Sequence, residues 1–138
     1  MSPSSILQLR AVDAAYGATP VLHQVSVDVA PGSVVALLGP NGAGKTTTLR
    51  VASGALKCTS GSVLIDGVDV SRDRPAKRAK AGLSLIPEGR GVFPNLTVRE
   101  NLRLMLPSWG KRSAVDDVLD VFPILRDKIG RASCRERV

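Results

Sequence analysis

Eight residues concentrate the chemistry of this sequence: Gly39-Pro40-Asn41-Gly42-Ala43-Gly44-Lys45-Thr46. Their spacing is G-x-x-x-x-G-K-[ST]. A triphosphate packs several negative charges into a small volume, and holding it takes many short donors that can approach closely. Glycines let the backbone wrap a phosphate and turn successive N–H groups inward. A helix beginning at the end of such a loop adds its unpaired first-turn amides and its positive dipole end. Lys45 brings a full charge to the β- and γ-phosphates, Thr46 offers a hydroxyl to Mg2+, and Thr47 can hydrogen-bond the α-phosphate. Gly39, Asn41, Gly42, Ala43 and Gly44 are the backbone donors of this reading. The bland alternative is a glycine-rich turn that joins a strand to a helix.

Context decides between the two, because the motif needs an apolar strand before it and a helix after it. Val34-Val35-Ala36-Leu37-Leu38 is apolar throughout, as expected of a strand buried on both faces. Thr46 to Ala52 reads as a helix stopping near Gly54. Upstream, residues 6–12 alternate as a half-buried strand, a turn begins at Tyr16-Gly17, and residues 21–29 alternate again with Val25, Val27 and Val29 on one face. Residues 62–70 form a hairpin around Asp66-Gly67. Pro75 to Ala81 is a short basic helix closed by Gly82, and residues 83–86 are a second candidate core strand. Thr97-Val98-Arg99-Glu100 is a capping box opening a helix through Leu106. Ser113 caps a further helix in which Val115, Val118, Leu119 and Phe122 recur at helical spacing, and Pro123 ends it. Antiparallel strand pairs around a strand–loop–helix unit imply a mixed α/β domain.

Composition narrows the remaining classes. The chain has 138 residues, enough for one modest core. No apolar run approaches the roughly 20 residues that span a bilayer, and the opening residues lack the pattern of a secretory signal. The formal net charge is +7, which alone hints at nucleic acid or an anionic surface. Only four residues are Phe, Trp or Tyr, too few for a base-stacking platform, so no nucleic-acid partner is expected. The basic run from Arg72 to Lys80 reads as a solvated helix face. Cys58 and Cys134 have no metal-ligand spacing. His23 and Trp109 are assigned no chemistry.

The segment Gly39 to Thr47 resembles the Walker A motif of ATP-binding cassette (ABC) transporter ATPases. The resemblance implies a P-loop NTPase, RecA-like core carrying an antiparallel β subdomain, with ATP and Mg2+ as ligands. Tyr16 lies where that family has an aromatic that stacks on adenine. Glu88 occupies the position of a glutamine that touches Mg2+ and the attacking water, which implies a catalytic and metal-binding role beside Lys45. Carboxylate in place of amide departs from the general pattern. It is similar, however, to one ATPase type of branched-chain amino-acid importers, the LivF-like subunit, which carries P-E-G-R followed by F-P-x-L-T-V-x-E-N-L. This chain reads Pro87-Glu88-Gly89-Arg90 and then Phe93-Pro94-Asn95-Leu96-Thr97-Val98-Arg99-Glu100-Asn101-Leu102. In the family this segment adjoins the groove that receives a coupling helix of the membrane subunit, so Phe93, Pro94 and Leu96 are expected to be exposed. The implied partners are a second ATPase subunit in a head-to-tail dimer, integral membrane permease subunits and, indirectly, a periplasmic amino-acid-binding protein. The implied location is peripheral, on the cytoplasmic face of a bacterial inner membrane. A urea or amide importer and a soluble non-transport ABC ATPase are the alternatives.

The resemblance covers roughly residues 5–127. An L-S-G-G-Q-type signature, a second apolar strand ending in Asp-Glu and a switch histidine are implied by the family and do not occur in this sequence. The chain is therefore expected to be the N-terminal part of a nucleotide-binding domain over residues 1–128, able to hold ATP but not to hydrolyse it. Residues 129–138 show no apolar periodicity and resemble one reading frame of a widely used sequencing-library adapter. That frame needs residue 128 to have a codon ending in AG, which Lys128 allows. The expectation is a non-native tail that contributes +2 of the net charge. Genomic reads continuing in frame past codon 128 with a different nucleotide sequence would refute it.

Overall fold

The computed structural model describes residues 5–86, 91–106 and 114–130. The chain divides into two compact units, Met1–Leu85 and Ile86–Val138. The first unit carries a four-stranded antiparallel sheet. Its strands are β1 (Leu7–Tyr16), β2 (Thr19–Val29), β3 (Ser60–Ile65) and β4 (Val68–Asp69), in the spatial order β2-β1-β3-β4. Two helices join it, α1 (Lys45–Ser53) and α2 (Pro75–Lys80).

The alternation of the early strands places Leu9, Val12 and Ala14 on the same buried surface, with Val25, Val27 and Val29 half-buried on β2. Helix α1 lays Val51 and Ala52 onto this surface, and Val63, Ile65 and Val70 complete the core. Each fully buried aliphatic side chain contributes about 1.5–3 kcal/mol. The register between β1 and its neighbours shifts near Ala11, whose φ is +44° and whose amide donates to the Ser26 hydroxyl at 2.9 Å. Gly61 is obligatory opposite this bulge. Its φ is +78°, and a Cβ there would lie 2.3 Å from the Ala11 carbonyl oxygen. Asp13 then ties three strands together. It accepts the Gln24 amide and side chain, each at 2.8 Å, and the Ser60 hydroxyl. The Ser60 hydroxyl and then the Gln24 amide hold the Asp13 carboxyl below its ordinary range.

The hairpin around Asp66-Gly67 forms as expected, both residues taking positive φ. So does α2, opened by Pro75 and followed by Gly82. Two expected core strands do not form. Residues 34–38 and 83–86 belong to no sheet, and Val34, Leu38 and Ile86 are 97%, 89% and 88% exposed. An apolar strand buried on both faces needs sheet neighbours and a covering layer, and no strand among the described residues flanks either segment. Of these two segments, only Leu83 packs against the core.

The basic run also departs from expectation at one residue. Arg78 is buried, not solvated. Its guanidinium donates to the carbonyls of Val51 and Ala52, both at 2.7 Å, of Ser71 at 3.0 Å and of Asp73 at 3.2 Å. The carbonyls at the end of α1 sit at its negative dipole end, where the Gly54 amide reaches Val51 at 3.1 Å, and the buried cation supplies further donors there. Burial pushes the Arg78 pKa down, against the opposing pull of Cys58, Asp73 and Asp69.

The second unit is helical: α3 (Val98–Met105), α4 (Ala114–Val121) and a 3₁₀ turn (Pro123–Lys128). The capping box is present in full. The Glu100 amide donates to the Thr97 hydroxyl at 3.2 Å, and the Thr97 amide donates to the Glu100 carboxylate at 2.8 Å. Asn101 is buried beside it. Its side chain accepts the Phe93 amide at 2.7 Å and donates to the carbonyls of Phe93, Leu96 and Thr97. One side chain thereby folds residues 93–97 onto α3. Helix α4 buries Val115 and Leu119 as its spacing implies, but Phe122 falls outside it and is 56% exposed. The turn enforced by Pro123 takes Phe122 off the helical face.

Candidate functional site

The loop at residues 39–44 enters α1 through two glycines with φ of +84°, Gly42 and Gly44. Gly44 is the N-cap of α1 and leaves no room for a side chain: a Cβ would lie 2.7 Å from the Leu22 Cδ2. The left-handed cap thus lets the loop lie against β2, and no side chain caps the first turn of α1. No acidic residue occupies the first turn of α1. The anion-attracting end of the helix is therefore not neutralised by its own side chains.

Lys45 folds over this loop. Its ammonium donates to the carbonyls of Gly39 and Pro40, each at 2.7 Å. The charge is stored at the mouth of the loop, on acceptors that an incoming phosphate can replace. Thr46 is half-buried in the first helical turn. Thr48 points inward and donates to the Gly44 carbonyl at 2.9 Å, bracing the cap from below.

Tyr16 comes to the same helix from the end of β1. Its hydroxyl accepts from the Arg50 guanidinium at 3.1 Å and shares a hydrogen bond with Thr47, whose side chain is buried. The Thr47 bond, and then Arg50, pull the phenol pKa below its ordinary value. The residue is 42% exposed. The structure thus gathers Tyr16, Gly39, Asn41, Gly42, Ala43, Gly44, Lys45, Thr46 and Thr47 around one helix end. Glu88 lies outside the described residues. No group of three or more His, Cys, Asp or Glu that could hold a metal occurs among the described residues. Arg50, Arg78 and Asn101 were not legible as site or frame residues. Arg50 and Arg78 act through partners remote in sequence, and Asn101 through the path of the folded loop at residues 93–97, none of which a local pattern encodes.

The model of the ABC transporter family matches residues 22–135. The chain belongs to the ABC transporter family. An ABC relative from Haemophilus influenzae, the lipopolysaccharide export system ATP-binding protein LptB, is 36% identical over 136 residues, covering 93% of this chain and 56% of its own. A second, the probable branched-chain amino acid transport ATP-binding protein LivF of Archaeoglobus fulgidus, is also 36% identical, over 83% of this chain and 50% of its own. Among solved structures, a nucleotide-free ATP-binding cassette from an ABC transporter superposes with a TM-score of 0.76 at 25% identity, over 94% of this chain and 58% of that one. The fold is that of an ABC ATPase cassette, α/β with an antiparallel β subdomain. The chain spans about half the length of these relatives. No helix among the described residues is long and apolar enough to cross a membrane.

Proposed function

We propose that this chain is the nucleotide-holding part of a transporter ATPase subunit and binds Mg-ATP on the loop from Gly39 to Thr46. The observation that carries the reading is the loop geometry: a left-handed glycine cap on α1 with the Lys45 ammonium stored above it. Thr46 would hold Mg2+, Thr47 the α-phosphate and the Tyr16 ring the adenine. The bound ion would draw charge from the phosphoryl group, and Lys45 would hold the negative charge on its oxygens. Glu88 is the residue assigned to Mg2+ and the attacking water. The signature and the second acidic strand do not occur in these 138 residues, so the chain is expected to bind nucleotide without turning it over. Phosphate release from Mg-ATP that disappears in Lys45→Ala would overturn that last point.

Branched-chain amino acids are the proposed cargo, on the run from Pro87 to Leu102 and the similarity to the archaeal LivF. The equal identity to LptB over more of the chain favours an exporter as the second reading. The proposed partners are a second ATPase subunit, membrane permease subunits and a periplasmic binding protein, with the chain peripheral on the cytoplasmic face. Phe93 and Pro94 are exposed, and an apolar cleft of about 320 Å3 beside them is lined by Val92, Val98, Leu102, Met105 and Leu125, which suits a permease helix. Residues 129–138 are proposed to be a non-native tail. Titration of the full chain with a fluorescent ATP analogue, displaced by ATP and by tripolyphosphate, tests the nucleotide site directly. Displacement by neither would refute it.

A further inference from the structure

The aromatic ring proposed for adenine does not stand alone. Tyr16 ends β1 and pairs with Thr19 across the hairpin turn, so its backbone is set by the sheet. Its side chain is set by α1 instead. Thr47 and Arg50 are three residues apart and so share one helix face, and both engage the Tyr16 hydroxyl. That leaves the edge of the ring tethered and 42% of the residue open to solvent. The helix that presents these two groups is the one whose N-terminus forms the phosphate site. Arg50 lies five residues beyond Lys45, about 7.5 Å along the helix axis. Ring and phosphate loop therefore share one rigid reference.

We infer that Arg50 is a positioning residue for the base: with Thr47 it fixes the Tyr16 ring to the phosphate-loop helix, so that one element sets the distance between adenine and the triphosphate. This rests on the reading of the 39–46 loop as an ATP site. Arg50 touches neither base nor phosphate in this scheme. It removes the rotational freedom of the ring before the ligand arrives, which spares the base stack an ordering cost. Arg50→Met keeps the aliphatic stem that covers α1 and loses the donor.

The test compares Mg-ATP with Mg-tripolyphosphate, which carries the phosphates without a base, on the full chain. Arg50→Met is expected to weaken ATP by about fivefold, the lower range of a base stack, and to leave tripolyphosphate unchanged. Arg50→Lys, which retains a charged donor, recovers part of the loss. A role in stability alone would weaken both ligands together, and that result overturns the inference, as does unaltered ATP affinity. Tyr16 is the single tyrosine of the chain, so its phenol titration can be followed by ultraviolet absorbance. The phenol is expected to titrate below its ordinary value in the wild type and to return toward it in Arg50→Met. An unmoved titration overturns the tether without reference to any ligand. Wild-type protein that binds tripolyphosphate and ATP equally removes the Tyr16 platform but leaves the phosphate loop standing. Wild-type protein that binds neither removes the loop reading and the inference with it.

Discussion

Replacing Arg78 with methionine isolates the contact that holds the phosphate-loop helix onto its frame. Methionine preserves an unbranched apolar stem and removes every donor. Four backbone carbonyls then lose a charged partner: Val51 and Ala52 at the end of α1, and Ser71 and Asp73 ahead of α2. The first two bonds are buried and the others part-buried. The Val51 carbonyl keeps the Gly54 amide at 3.1 Å, whereas the buried Ala52 carbonyl is left without a donor, which costs about 1–3 kcal/mol. The part-buried pair can turn to water and adds little. Against this, the wild type already bears the cost of burying a guanidinium, registered in its lowered pKa. The net loss is about 2 kcal/mol, roughly an eighth or more of the stability of an ordinary domain. Urea unfolding followed by far-ultraviolet circular dichroism measures it as a drop in the midpoint at constant slope. A loss below about 1 kcal/mol would refute the clamp, since exposed arginines cost no more than that on average.

Other perturbations test the loop and the caps. Gly44→Ala must accommodate φ of +84° and a Cβ 2.7 Å from Leu22, so it should destabilise the chain by about 1–3 kcal/mol. An unchanged melting curve would contradict the close packing of loop on β2. Thr97→Ala should cost about 1 kcal/mol by removing the cap of α3, read from the same urea titration. The carboxyls of Asp13, Asp69 and Glu100 are all held below their ordinary values, chiefly by the Ser60, Ser71 and Thr97 hydrogen bonds. Their contribution is therefore complete above the unfolded pKa values, 3.8 for the aspartates and 4.5 for the glutamate, and is lost as pH falls through the lower folded values. Unfolding free energy that stays flat from neutral pH down through that window would contradict the three contacts.

What the sequence made legible was local. The helix from Lys45, its stop at Gly54, the Asp66-Gly67 hairpin and the Thr97–Glu100 box each depend on a few adjacent residues, and each forms where its signal lies. Residues 34–38 show the limit of such signals. A run of five apolar residues encodes a demand for burial, but only sheet neighbours can meet it, and none flanks the run among the described residues. Arg78 shows the converse. Five cations in nine residues look like a wetted face, yet one of them turns inward because a helix end 26 residues earlier presents carbonyls that need donors. Asn101 was visible as part of a family-like run, while its work, closing residues 93–97 onto α3, depends on the path of the folded chain. In the site, spacing marked the loop as a candidate and the helix after it forms, while the apolar strand expected before it does not. The Arg50 tether to Tyr16 could not be read from spacing, because it joins residues 34 positions apart.

The central claim is that the loop from Gly39 to Thr46 holds nucleotide phosphates with Lys45 as its charge. Thermal unfolding of the full chain, with and without millimolar Mg-ATP and alongside Lys45→Ala, tests it most directly, since a ligand that binds only the folded state raises apparent stability with concentration. The wild type is expected to show a concentration-dependent rise that is lost or reduced at least about tenfold in apparent affinity when Lys45 is removed. No rise at millimolar Mg-ATP, or an equal rise in Lys45→Ala, would contradict it.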